Sequence, residues 1–257
     1  MKKFKILVVI ILLLGLYKPA ISQVVNIENK RIYDDTTGFS GNLDLTFSLQ
    51  KNTNTLFTLQ FKPLVQYKTP RHYFLLINDL KYITSNKDLY SNFGMSHFRY
   101  AYRLKDKSPW KLEGYTQVQY NQILLQKIRF LIGSGIRFRI LNKNKVRLFL
   151  GSSHFYEYEE INYSDRPNEY INTTRWSNYF STYFSFDKFE ISTVIYYQPN
   201  LFRFKDFRVS GDYNFMVKVT KQLNLKFNLS HYYDSEPPQT IVKNTFSSSL
   251  GFLYKIR

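Results

Sequence analysis

The chain has no cysteine. A disulfide framework, a thiolate nucleophile and a cysteine-based metal site are therefore excluded, and no lipidated cysteine can follow an export signal. Histidine is scarce, with four residues scattered through the sequence, so neither a zinc site nor any other cofactor is expected. Long apolar runs are also lacking. The best one, Ile6 to Leu16, falls short of the roughly 20 residues a spanning helix requires. Acidic residues are the third shortage: 19 Asp and Glu stand against 36 Lys and Arg, a formal net charge of +17.

The amino terminus reads as an address. Lys2, Lys3 and Lys5 precede the apolar run, and Lys18, Pro19, Ala20, Ile21 and Ser22 close it. A basic start, a short greasy stretch and small residues three and one positions before a cut predict a signal peptide over 1–22, cleaved before Gln23. A basic balance can mark a nucleic-acid binder. Export makes that partner unexpected, and the expectation is no nucleic acid. Anionic headgroups of outer-membrane lipids or small anionic solutes fit the charge better, and so does plain decoration of turns and strand edges by Lys.

Aromatic residues are abundant, with 22 Tyr and 23 Phe, and they suit strands. After a lead-in over 23–37, a period of two begins at Gly38. The clearest example is KIRFLIGSGIRFRILNKNKVRLFL, residues 127–150. Ile128, Phe130, Ile132, Ile136, Phe138 and Ile140 share one parity. Lys127, Arg129, Arg137 and Arg139 share the other, and Arg147 resumes it after an Asn-Lys turn. One face is greasy and the other cationic. The same grammar recurs in about twelve segments joined in order. They include Leu43 to Leu49, Phe57 to Tyr67, Trp110 to Tyr120, Phe207 to Val219 and Leu223 to Leu229. Pro63 implies a bulge or strand end, and a third strand near 71–84 has an ambiguous register.

Two architectures accommodate a two-faced sheet. In a β-sandwich, a partner sheet covers the greasy face. In an all-β, antiparallel transmembrane β-barrel of the outer membrane, over 38–257, lipid covers it and the polar parity lines the lumen. Burying Arg129, Arg137, Arg139, Arg147, Arg208, Lys218 and Lys226 in a dry core would cost several kcal/mol for each unpaired charge. That parity must be wet or paired, with Asp44, Glu113, Asp212 and Glu190 as counter-ions. An even strand number places both termini in the periplasm, with longer connections outside. The polar breaks near 157–173, 198–206 and 234–240 fall on the outer side, and the tight turns at 141–145, 187–188 and 221–222 fall on the other. The barrel is the expected fold.

TGFSGNLDLTFSLQKNTN (37–54), HYFLLINDLKYI (72–83), QVQYNQILLQKIRFLIGSGIRFRIL (117–141), YYQPNL (196–201) and YYDSEPP (232–238) together resemble the Bacteroidetes branch of the salt-induced outer-membrane protein family, a domain of unknown function. The resemblance spans the mature chain. It implies an outer-membrane barrel and carries no activity. Barrels of this kind meet the barrel assembly machinery, whose cue here would be Phe252, Tyr254 and Ile256, because the chain ends on Arg257 rather than an aromatic residue.

Sites of chemistry are few. Ser152 and His154 share a strand face on the greasy parity, with Glu157 and Glu159 just beyond. They are the best place for a lipid-modifying hydrolase, although an interfacial Ser and His near a strand end reads the same way. Gly133 and Gly135 lie on the lumen parity, where they leave room for a solute or for large neighbouring side chains. Asn162, Asn172 and Asn228 stand in chance sequons. No enzyme is expected. The functional expectation is a small pore or solute-binding barrel whose basic lumen is lined by Arg129, Arg137, Arg139, Arg147, Arg208, Lys218 and Lys226. The alternatives are a filled structural or envelope-stress barrel and, third, the hydrolase.

Overall fold

The computed structural model describes residues 37–51, 55–85, 88–238 and 241–256. The expected signal peptide and all of the lead-in but Thr37 lie outside the described residues. The rest is a single closed barrel of twelve strands: β1 (Gly38–Lys51), β2 (Thr55–Lys68), β3 (His72–Ser85), β4 (Asp88–Arg103), β5 (Trp110–Asn121), β6 (Gln126–Lys143), β7 (Val146–Ile161), β8 (Glu169–Ser185), β9 (Phe189–Pro199), β10 (Phe207–Lys218), β11 (Leu223–Asp234) and β12 (Asn244–Ile256). Each strand pairs antiparallel with its sequence neighbours. β1 closes on β12 through a register running from Gly41 opposite Ile256 to Thr46 opposite Gly251. One 3₁₀ turn, Gln122–Leu124, joins β5 to β6 and is capped by the Asn121 side chain.

Alternation dictates the two surfaces. Leu43, Leu45, Phe61, Val65, Leu112, Ile132, Ile136, Leu150, Phe180, Ile195, Phe215, Phe227, Leu250 and Phe252 all point outward and are exposed. In water they would form an apolar patch far larger than a soluble monomer carries; in lipid they are the matching surface. Rings collect at both borders. Toward the end carrying the termini, Phe39, Tyr67, Phe74 and Tyr100 follow one another across β1 to β4 with centroids 4.6, 6.4 and 5.0 Å apart, and Trp110 packs on Phe138 at 4.5 Å. Toward the other end, Tyr197, Phe207 and Tyr233 step across β9 to β11. Such girdles mark the two interfaces of a membrane barrel.

Several expectations need correction. Pro63 causes neither bulge nor strand end. It pairs with Leu43 of β1, and β2 keeps one register with β3 on both sides of it. The ambiguous third strand faces Tyr73, Leu75, Ile77 and Asp79 inward, and both its parities are apolar because its lumen side packs on Leu64, Phe93, Met95 and Ala101. Register shifts next to Gln126 turn Lys127 outward onto Glu160, at 2.9 Å, rather than into the basic row. The break expected over 157–173 is mostly strand, and its connection shrinks to 162–168. The sorting of loops by length holds for the later half only: 162–168, 200–206 and 235–243 oppose the short turns 144–145, 186–188 and 219–222. Earlier, 104–109 is longer than 122–125 on the opposite side. The turns 69–71 and 104–109 are latched by Arg71 and Asp106 at 2.9 Å, and that guanidinium holds the Asp106 carboxyl below the ordinary carboxylate range.

The glycines facing the lumen mark close approaches. A Cβ at Gly135 would lie 2.5 Å from Ser153 Cα and 2.4 Å from Ser152 O on β7. A Cβ at Gly151 would lie 2.0 Å from the Tyr179 ring, which covers that position. Gly133 is covered in the same way by Tyr115 and Phe155. At Gly133 and Gly151 the space is filled by neighbouring rings rather than left for a solute. Because the obstacle at Gly135 is backbone, Gly135→Val should hinder closure between β6 and β7. The expected result is loss of the fast-migrating unboiled form on a gel, while Ser134→Val, on the outer face, should keep it.

Candidate functional site

The inward parity builds the site. In the half of the lumen away from the termini, Glu157 of β7 is completely buried and accepts three guanidinium groups: Arg129 Nε of β6 at 2.5 Å, Arg175 Nε of β8 at 2.9 Å and Arg208 Nη1 of β10 at 2.6 Å. Arg208 lies three strands from Glu157, so this contact crosses the barrel interior. A ring of acids finishes the knot. Asp206 takes Arg175 at 3.0 Å, Asp234 takes Arg208 at 2.9 Å, and Glu159 stands 3.5 Å from Arg208. Tyr232 donates to Asp234. Charge-assisted bonds of this type are the strong ones, and each partner left buried alone would cost several kcal/mol.

Beside the knot runs a chain of amides. Gln126 donates to Glu159 at 2.5 Å, Gln119 to Gln126 at 2.7 Å and Gln117 to Gln119 at 2.6 Å; Gln117 in turn meets the His97 ring at 3.0 Å. Arg99 bonds both His97 and Glu113. The cavity beside His97, Arg99, Tyr115 and Arg129 measures ≈ 50 Å³, and a second one under Pro237, Pro238, Ile241 and Val242 measures ≈ 30 Å³. Each holds no more than a few waters, at roughly 10–15 Å³ per probe-sized water site. Pro237, Pro238, Ile241 and Val242, between β11 and β12, therefore sit over the knot.

Each cation expected in the lumen has a definite place. Arg129 and Arg208 belong to the knot. Lys226 pairs with Asp44, and Lys218 lies 3.5 Å from Glu190, which also takes Lys255 at 3.2 Å. Arg137 lies 3.7 Å over the Phe149 ring and Arg147 lies 5.6 Å over Tyr183, both at inward positions toward the end with the termini. Arg139 stands opposite the inward Phe149, just before a bulge, and its guanidinium donates to the carbonyls of Lys107 and Ser108 at 2.8 and 3.5 Å, bracing the 104–109 turn at the rim of the lumen.

Arg175, Glu157 and Glu159 were missing from the expected lumen set. Both acids fall in the polar stretch 157–173, which reads as a break, whereas Arg175 falls on the polar parity of the strand after it. The signal was present, since Tyr156 and Tyr158 alternate with Glu157 and Glu159 at the strand period. Ser152 and His154 do share the outer face. The Ser152 hydroxyl donates to Asn178 at 2.9 Å and accepts from the Trp176 indole at 2.8 Å, and Glu157 and Glu159 point the opposite way, into the lumen.

A closed antiparallel barrel with a lipid-matched wall, two aromatic girdles and a charged lumen defines an outer-membrane β-barrel. Over residues 34–256 the chain belongs to the family DUF481, described as a protein of unknown function. Its fold is similar to that of the NanC porin solved in a rhombohedral crystal form, with a TM-score of 0.51 at 9% identity over 85% of this chain and 99% of that one. The KdgM porin gives 0.47 at 10% identity, covering 85% and 99%. The translocator domain of the autotransporter NalP from Neisseria meningitidis gives 0.45 at 9%, covering 86% and 90%. No match to a curated protein was found.

Glu157→Gln removes the charge that three buried guanidinium groups share. It should lower barrel stability by about 3–5 kcal/mol, read as a fall in the temperature at which the purified barrel loses its fast gel mobility. Asp106→Asn, at the exposed turn latch, should leave that temperature nearly unchanged.

Proposed function

We propose that the barrel binds small anionic solutes in its lumen and passes them slowly. The observation behind this reading is the split of charge along the lumen. Three arginines and four carboxylates form the Glu157 knot, and Arg103, Lys111, Arg137 and Arg147 gather on inward positions toward the terminal end. Charged side chains on a lumen wall set which ions enter, so this wall favours anions. A similar fold is found in a KdgM porin solved with disordered oligogalacturonate, an anionic oligosaccharide. That ligand belongs to the KdgM porin, and it makes acidic saccharides reasonable probes here.

The small cavities around the knot favour a second reading, a filled structural barrel that does not conduct. In that reading the 162–168 and 235–243 connections would carry contacts to envelope partners. Neither reading gives Ser152 and His154 a catalytic role.

Planar-bilayer recording separates the two. The native barrel should give small events whose reversal potential in a salt gradient shows anion preference, and Glu157→Gln should enlarge them by loosening the knot. If there is no conductance in either protein and no protection of the barrel by anionic solutes, the first reading fails and the filled barrel stands.

A further inference from the structure

Across β6 to β8 the lipid-facing wall carries polar side chains between apolar ones. Ser134 stands between Ile132 and Ile136 on β6, Ser152 and His154 between Leu150 and Tyr156 on β7, and Asn178 between Phe180 and Trp176 on β8. The register sets them side by side. Gly114, Ser134, His154 and Trp176 form one row over β5 to β8. Leu112, Ile136, Ser152, Asn178 and Tyr197 form the next. The Trp176 indole donates to Ser152, which donates to the Asn178 carbonyl, and there the chain stops. The Asn178 amide N–H groups, the Ser134 hydroxyl and the His154 ring have no partner among the described residues. Ser134 and His154 are exposed. Beside the rows lies a trough of ≈ 580 Å³ walled by Trp110, Ile136, Phe138, Leu150, Phe180 and Ile195, with Ser152 and Asn178 at its edge.

We propose that this wall is the contact surface of a homodimer in the membrane, with β6 to β8 of two copies facing each other. Acyl chains cannot satisfy the open donors and acceptors, and lipid headgroups, which can, lie at the interfaces. A protein surface at the same depth can. All copies insert with the same end in the periplasm, so the two-fold axis of a pair runs along the membrane normal. That rotation preserves depth. The polar rows of one copy therefore meet those of the other, and the contact is isologous. The amide N–H groups are donors, and the hydroxyl and imidazole both donate and accept, so the rows complement themselves. Gly114 adds a small residue for close approach, and small and polar residues together hold proteins to one another within membranes. From β5 to β9 the wall is about 20 Å wide at about 4.8 Å per strand, and the apolar band of such barrels is about 25 Å tall. Two copies would bury about 1,000 Å² in total, the size at which an interface becomes specific. The inference concerns the outer wall and does not depend on what the lumen passes.

Because the chain has no cysteine, single substitutions report contact directly. Ser134→Cys and His154→Cys are made separately, and outer membranes carrying each are mildly oxidised. At least one should give a cross-linked band at twice the mass of the barrel. Two controls should give none: Leu45→Cys on β1, across the barrel, and Ser96→Cys on β4, where a smaller polar pair with Asn78 faces out. The second measurement is the mass of the purified barrel in neutral detergent, by light scattering over a dilution series. The native barrel should be a dimer that dissociates on dilution. Asn178→Leu and Ser134→Val should each weaken association about tenfold and keep the fast mobility of the unboiled barrel, so that loss of the dimer is separated from loss of the fold. The inference is overturned if neither Ser134→Cys nor His154→Cys gives the band, if the controls give it equally, or if the cross-linked mass is that of another envelope protein. A dimer that both apolar variants leave unchanged also overturns it. So does a monomeric native barrel that retains a lipid which Asn178→Leu loses, a result that would assign the rows to lipid instead.

Discussion

The constraint behind everything else is that hydrocarbon offers no hydrogen bonds. Every backbone N–H and C=O at membrane depth must find a partner within the protein, and an open sheet edge is not allowed. Twelve strands meet this by joining β1 to β12, so the sheet has no edge. Closure then forces the two parities apart. Outward residues face acyl chains and can be apolar without cost. Inward residues face one another across a confined space, where each charge needs a partner. The amphipathic grammar of the sequence and the ion-pair grammar of the lumen are two consequences of one closed sheet.

The lumen solves its electrostatics in a graded way. On the β2–β4 side Leu64, Leu75, Ile77, Phe93 and Met95 pack as a small apolar core inside the barrel, beside the buried charges of Lys62, Asp79 and Arg99. From β6 to β11 it meets charge with charge. Three guanidinium groups would repel one another in a low-dielectric interior, yet Glu157 draws them together because it stands among all three. Its neighbours Asp206, Glu159 and Asp234 supply the remaining acceptors. Taking the pair network apart would therefore release more than one contact, as coupled buried networks do.

Period two carried most of this fold openly. Strand number, the lipid face and the inward placement of Arg129, Arg137, Arg147, Arg208, Lys218 and Lys226 follow from alternation alone, because a one-residue slip would flip each strand. Alternation fails where a bulge shifts parity, as at Lys127, since a bulge is decided by packing between strands rather than by residue type. It also fails at β3, where apolar residues face both ways. The Glu157 knot was hidden for a different reason. Strands that extend beyond the hydrocarbon lose their greasy outer residues, so polar composition imitates a loop. Counter-ion choice is tertiary as well. Glu113 could be placed in the lumen from sequence, but its bond to Arg99, fourteen residues away along the chain, depends on the β4–β5 register.

The lumen is also polar along its axis. Around the knot, three guanidinium groups meet four carboxylates. Toward the terminal end, Arg103, Lys111 and Arg137 form a like-charge row. The two ends of the lumen therefore carry different side-chain charge, and confinement between low-dielectric walls strengthens that difference. Side-chain charge alone produces that inequality, since the strands and their hydrogen bonds run alike around the wall.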